Sequence, residues 1–193
     1  MGYLNDVLGE GHGFSFKKNG TLRFKKKDVA EGKEYSEDQQ AIFDGVSEVV
    51  NDDERTIHAK VSEDENTNIS IDVQISETNT IKYSEDQMDK TSDGKYQAGQ
   101  FREISMGFGS DPFGVLSINR KEAATSGNGE RTSASESAVF IHELLDHGLY
   151  FIRTGVGVPP NPSSKKDEVK YQNKALRIKG SKERTGTDHG VKK

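Results

Sequence analysis

His142-Glu143-Leu144-Leu145-Asp146-His147 sits inside the stretch Ser133–Arg153, and the reading of that stretch decides the fold. Ser133 and Glu136 form a capping-box signature, the run Ala138-Val139-Phe140-Ile141 follows, and Gly155 marks a stop, so the pattern predicts one helix over 133–153. The helix is apolar nearly all round, which predicts burial. Two histidines, a glutamate and an aspartate are costly on a buried helix unless they pair with one another or hold an ion.

The spacing sets a geometric condition. In the common His-Glu-x-x-His arrangement the four-residue offset leaves about 40° between two imidazoles. His142 and His147 are five residues apart, about 140° on an ideal helix, so both face one metal only if the helix bulges by one residue. Asp146 lies four residues after His142 and is the alternative, either as a ligand or as the hydrogen-bond partner that orients an imidazole. The preference of zinc for neutral nitrogen donors favours His147 over Asp146. Cysteine is absent, so any metal is held by histidines and carboxylates.

Pro159, Pro160 and Pro162 enforce an extended connection, after which Ser163, Ser164 and Asp167 predict a last helix to about Lys179. Glu168 on that helix is the expected third ligand, completing a His2Glu zinc site with one open position for water. Glu143 is then the expected general base. The competing reading for the motif is a metal-free buried ionic cluster, and for Glu168 a first-turn charge that merely favours the helix dipole. Asn173 and Arg177, one turn apart, read as ordinary surface or as a brace supporting the site.

The stretch His142–Gly148 resembles the His-Glu-Leu-Leu-Gly-His-Gly of dipeptidyl peptidase III, a likeness confined to about seven residues. In that family both histidines are ligands and the glutamate between them is the base. A broader likeness lies in layout: an apolar metal-motif helix, a proline-containing linker, then Glu168, Asn173 and Arg177 in the pattern Glu-x4-Asn-x3-Arg. This is similar to the metallopeptidase toxin domains at the C-terminal ends of Rhs-type polymorphic toxins and to related type III effector proteases, and covers roughly the last 60 residues. Those domains usually carry the shorter four-residue offset. The resemblance implies a zincin-like fold, Zn2+, peptide-bond hydrolysis in a protein substrate, delivery within a larger secreted bacterial protein and a cognate immunity protein as a further partner.

The 193 residues are expected to form one α+β domain, with 1–132 a hairpin, helix and strand region, 133–179 the metal-site helices and 180–193 a tail. Its mixed or antiparallel sheet packs on the metal-motif helix. Phe14-Ser15-Phe16 and Leu22-Arg23-Phe24 flank Asn19-Gly20, predicting a hairpin. Ser36 with Gln39 caps a helix over 36–51, with Ile42, Val46, Val49 and Val50 along one stripe. Ile57-x-Ala59-x-Val61 and Ile69-x-Ile71-x-Val73-x-Ile75 alternate as two half-buried strands expected to form a unit together. Residues 76–112 read as a long excursion with little core, and the second Tyr-Ser-Glu-Asp-Gln, at 83–87, as a helix start like the first at 35–39. Gly114–Asn119 is expected as an edge strand able to hold an extended substrate. His12, His58 and His189 are expected to face solvent.

With 27 Lys+Arg against 32 Asp+Glu, the net charge of -5 offers no general attraction to nucleic acid or anionic lipid. No stretch is apolar enough to span a membrane, and the first twenty residues hold no signal segment. Two other function classes stay open at this level. One is a catalytically inactive or metal-free binding module on the same fold, and the other a nuclease, which the acidic charge disfavours.

Overall fold

Ser36 opens the first long helix as its sequence predicts. The computed structural model describes residues 1–17, 22–74, 79–90, 94–107, 111–123, 133–156, 169–181 and 183, and shows a single-domain α+β fold. In helix α2 (Glu37–Asn51) the Ser36 hydroxyl accepts the Gln39 N–H at 3.3 Å while Gln39 Oε1 accepts the Ser36 N–H at 3.1 Å. Each bond satisfies a first-turn or cap amide that has no intrahelical partner. Gln39 also donates through Nε2 to Val7 O, tying α2 to the short helix α1 (Gly2–Leu8). Ile42 and Val46 are fully buried on the inward stripe.

Strands β1 (His12–Phe16) and β2 (Leu22–Val29) pair antiparallel, with Phe14 opposite Phe24, as the flanking runs predict. Asn19-Gly20 lies outside the described residues. Phe14 and Phe24 lean on Phe43 of α2 at centroid distances of 5.3 and 5.4 Å, so an aromatic cluster fastens the hairpin to the helix.

The predicted pairing of the two alternating strands is corrected. β3 (Ile57–Ser62) pairs in parallel with β7 (Phe113–Asn119), whereas β4 (Asn66–Gln74) pairs antiparallel with β5 (Thr80–Gln87). Alternation fixes which face a strand buries and says nothing about its neighbour. All seven residues of β7 are buried, as expected of a strand with partners on both sides and layers on both faces. β7 is therefore central in the order β3-β7-β6, not an edge strand as expected; among the described residues the outer strands are β3 and β6 (Gly99–Ile104), the latter antiparallel to β7.

Two of these strands, β5 and β6, lie in the stretch expected to lack a core of its own. Their inward positions include Glu85 and Gln100, both buried, so the hydrophobic alternation is absent where the strands are. Arg102 supports Glu85 with an ion pair at 3.2 Å, and the Tyr83 hydroxyl donates to the same carboxylate at 2.9 Å. The second Tyr-Ser-Glu-Asp-Gln is thus part of a strand, not a helix start, because tertiary pairing outweighs a five-residue local signal.

After the helical turn α3 (Arg120–Ala123) and the residues outside the description, one continuous helical rod runs through the centre. It comprises α4 (Ser133–Ile141), a π-helical segment (His142–Gly148) and α5 (Leu149–Thr154). It ends where predicted: Gly155 adopts φ 76°, ψ 7° and donates to Phe151 O, a conformation that glycine enters without strain. The rod packs on α1, α2, β6, β7 and the last helix α6 (Lys170–Ile178). Ile141, Leu145, Leu149 and Phe151 are buried along it, each contributing roughly 1.5–3 kcal/mol relative to exposure. Gly45 of α2 lets it come close, since an added Cβ would stand 3.2 Å from Leu145 Cδ1. Glu136, read from sequence as the capping-box partner of Ser133, has its carboxylate accepting from Arg120 Nε at 3.1 Å and from the Tyr3 hydroxyl at 3.2 Å.

The expectation for His12 and His58 is also corrected. His12 is 2% exposed, its Nε2 lies 2.8 Å from Asn5 Oδ1, and its Nδ1 accepts the Phe14 N–H at 3.0 Å. That pair of contacts fixes a neutral tautomer, with the proton on Nε2. His58 is half-buried, edge-on to Phe113 at 5.6 Å. His189 lies outside the described residues. Burial, aided by Lys33 and the N-terminus, lowers the His12 pKa from 6.5. The unfolded chain therefore takes up the proton first, so this site's contribution is full above the unfolded value and is lost as pH falls below it. Urea titrations are expected to show wild type losing stability relative to His12→Gln as pH drops from about 7.5 to about 5. Parallel pH profiles for the two proteins would remove His12 as the cause.

Candidate metal centre

The bulge that the five-residue spacing demands is present. From His142 to Gly148 the rod is π-helical, with i→i+5 hydrogen bonding, and Leu149 N–H bonds Leu144 O across it. The wider turn brings residues five apart toward the same side. The His142 and His147 rings stand 4.7 Å apart between centroids at 77°, and one ligand atom each from His142, Glu143 and His147 lies within 4.8 Å of the others. His142 Nε2 is 4.0 Å from Glu143 Oε1.

Asp146 occupies a different position. Its Oδ2 is 3.0 Å from His142 Nδ1, and its two oxygens accept the N–H groups of Tyr171 and Gln172 at 3.0 and 3.2 Å. With the ionised carboxylate as acceptor, Nδ1 carries the ring proton and Nε2 presents its lone pair. Of the two roles open to Asp146 in the sequence, the geometry matches the orienting one. Burial pushes its carboxyl up to about 7, against the α6 amides and His147, which pull it down.

The floor of the cluster is a glycine that the sequence does not single out. Gly99 begins the edge strand β6, and a Cβ there would stand 2.7 Å from both Glu143 Cγ and Oε1. Only a residue without a side chain lets the strand pass this close to the Glu143 carboxylate. His142 and Glu143 are 3% and 2% exposed.

Glu168 lies outside the described residues, immediately before buried Val169 at the start of α6. Asn173 is half-buried on α6. Arg177 does not reach the cluster: it makes a two-pronged contact with Asp38 at 2.8 Å through Nε and through Nη2, and pairs with Glu183 at 3.1 Å. It is a brace between α6 and α2, joined by Lys174, whose Nζ is 3.0 Å from Asp38 Oδ1. These cations hold the Asp38 carboxyl down to about 2, the Arg177 hydrogen bond contributing most. A cavity of about 770 Å³ opens beside β3, lined by Ile57, His58, Val61, Arg120 and Leu144 among others, and the three clustered residues take no part in lining it.

Two imidazoles and a carboxylate in this proximity are a donor set suited to zinc. Compared with protein-family models, curated proteins and solved structures, the chain matches none of them.

Proposed function

We propose that the chain is a zinc-dependent metallopeptidase domain acting on a protein substrate. The carrying observation is the π-helical segment, which gathers His142, Glu143 and His147 although their spacing would scatter them on an α-helix. In this reading His142 and His147 hold the ion, Glu168 is the third protein ligand, and Asp146 fixes the His142 ring. Bound zinc supplies Lewis acidity, acidifying water and polarising a carbonyl. Glu143 takes a proton from the attacking water and returns it to the departing amine. An extended substrate adds to the open edge of β6, the strand whose Gly99 touches Glu143. The layout shared with Rhs-type toxin domains supports a toxin or effector role inside a larger secreted bacterial protein, with an immunity protein as second partner. Nucleic acid is not the substrate in this reading, given the net charge of -5. Among the described residues no helix is long and apolar enough to cross a membrane.

The depth of the cluster and the separate cavity beside β3 favour one second reading, a metal-free or inactive binding module. Elemental analysis with a casein digestion decides between them. The peptidase reading expects about one zinc per chain, removed by His142→Ala or His147→Ala, and cleavage that a chelator stops. Protein without stoichiometric zinc, showing no rise in melting temperature when zinc is added, supports the binding module.

A further inference from the structure

The Asp146 carboxylate serves two helices at once. Its Oδ2 stands against His142 Nδ1 at 3.0 Å, and the same carboxylate accepts the first amides of α6, from Tyr171 at 3.0 Å and Gln172 at 3.2 Å. The helix has no side-chain cap of its own, because its N-cap position is Val169. First-turn amides need an acceptor, and here the π-helical segment provides it.

Resting on the metal-site reading above, we propose that Asp146 is a positioning residue that couples metal occupancy at His142 to docking of the first turn of α6. An ion on the Nε2 side withdraws charge from the ring and makes Nδ1–H a stronger donor, which tightens the carboxylate in place. The oxygens so fixed stay aimed at the Tyr171 and Gln172 amides. The remainder of α6 is held independently, by buried Ala175 and Leu176 and by Lys174 and Arg177 on Asp38. The coupling therefore acts on its N-terminal turn, which begins beside Glu168. Linkage makes the effect reciprocal: any gain in docking from the metal returns as metal affinity when the turn is docked.

Backbone amide exchange at Tyr171 and Gln172, with and without zinc, together with zinc affinity by chelator competition, tests this in wild type, Asp146→Asn and Asp146→Ala. Asparagine keeps the size and one acceptor oxygen, so it separates coupling from a failure to fold. In wild type, zinc is expected to slow exchange at both amides by about tenfold or more, and both variants are expected to bind zinc about 10–100-fold more weakly and to lose that slowing. A purely structural cap predicts faster exchange in the variants irrespective of zinc, with affinity unchanged. That result, or wild type that binds zinc without slowing, overturns the coupling and leaves the metal site standing. Wild type that binds no zinc overturns the metal-site reading itself, and the coupling with it.

Discussion

In the proposed peptidase reading, Glu143→Gln is expected to bind zinc as wild type does and to lose peptide hydrolysis by about 10²–10⁴-fold, the usual range for a positioned general base. The side chain is 2% exposed, has Oε1 4.0 Å from His142 Nε2, and lies where a Cβ on Gly99 would stand 2.7 Å from it. Glutamine has the same shape, so packing against β6 is preserved while the proton-accepting oxygen is replaced by an amide. The measurement is a progress curve on casein with zinc content and melting temperature taken on the same preparation. Full activity in the variant would sink the assignment of Glu143 as base. Lost zinc would instead make Glu143 a ligand, consistent with its place in the three-residue cluster.

Gly99→Val is expected to injure fold and function together. The new Cβ would stand 2.6 Å from Val139 Cγ1 and 2.7 Å from Glu143 Cγ. Val139 is buried on the central rod and has little room to retreat. Overpacking of this kind costs about 1–3 kcal/mol, read as a lower urea midpoint. The strand keeps its place beside the helix only if Glu143 is displaced, so in the proposed peptidase reading hydrolysis should fall further than the stability loss explains when measured well below the unfolding midpoint. A valine variant with wild-type stability would show that β6 does not press on the helix.

The bulge between His142 and His147 was legible as a condition, since residues five apart on a buried helix face one point only where the helix widens, and the rod is π-helical there. The orienting position of Asp146 was open at the level of sequence, because the α6 amides that claim its oxygens come from a segment 25 residues away and only folding brings them together. Gly99 was invisible for a related reason: a lone glycine after Ala98 carries no sign of what crosses above it. Strands β5 and β6 were missed where inward positions are polar, as at Glu85 and Gln100, since periodicity detects hydrophobic faces; the partner of β3 was misread because alternation fixes a face and not a neighbour. Arg177 had the right residue type for a supporting role, yet Asp38, on a helix far earlier in the chain, captured it.

The parallel register of β3 with β7 carries a kinetic consequence. Ile57 meets Gly114 and Ser62 meets Asn119, so the whole span 63–112 must be looped out before the central strand gains its second neighbour. Closing such a span sacrifices chain entropy before any contact rewards it, so slow closure of the sheet is expected. The histidines are near one another along the chain, but the strands that seat their helix are not. A refolding chain therefore brings the His142 and His147 imidazoles together early and completes the surroundings of their helix only after the sheet has closed.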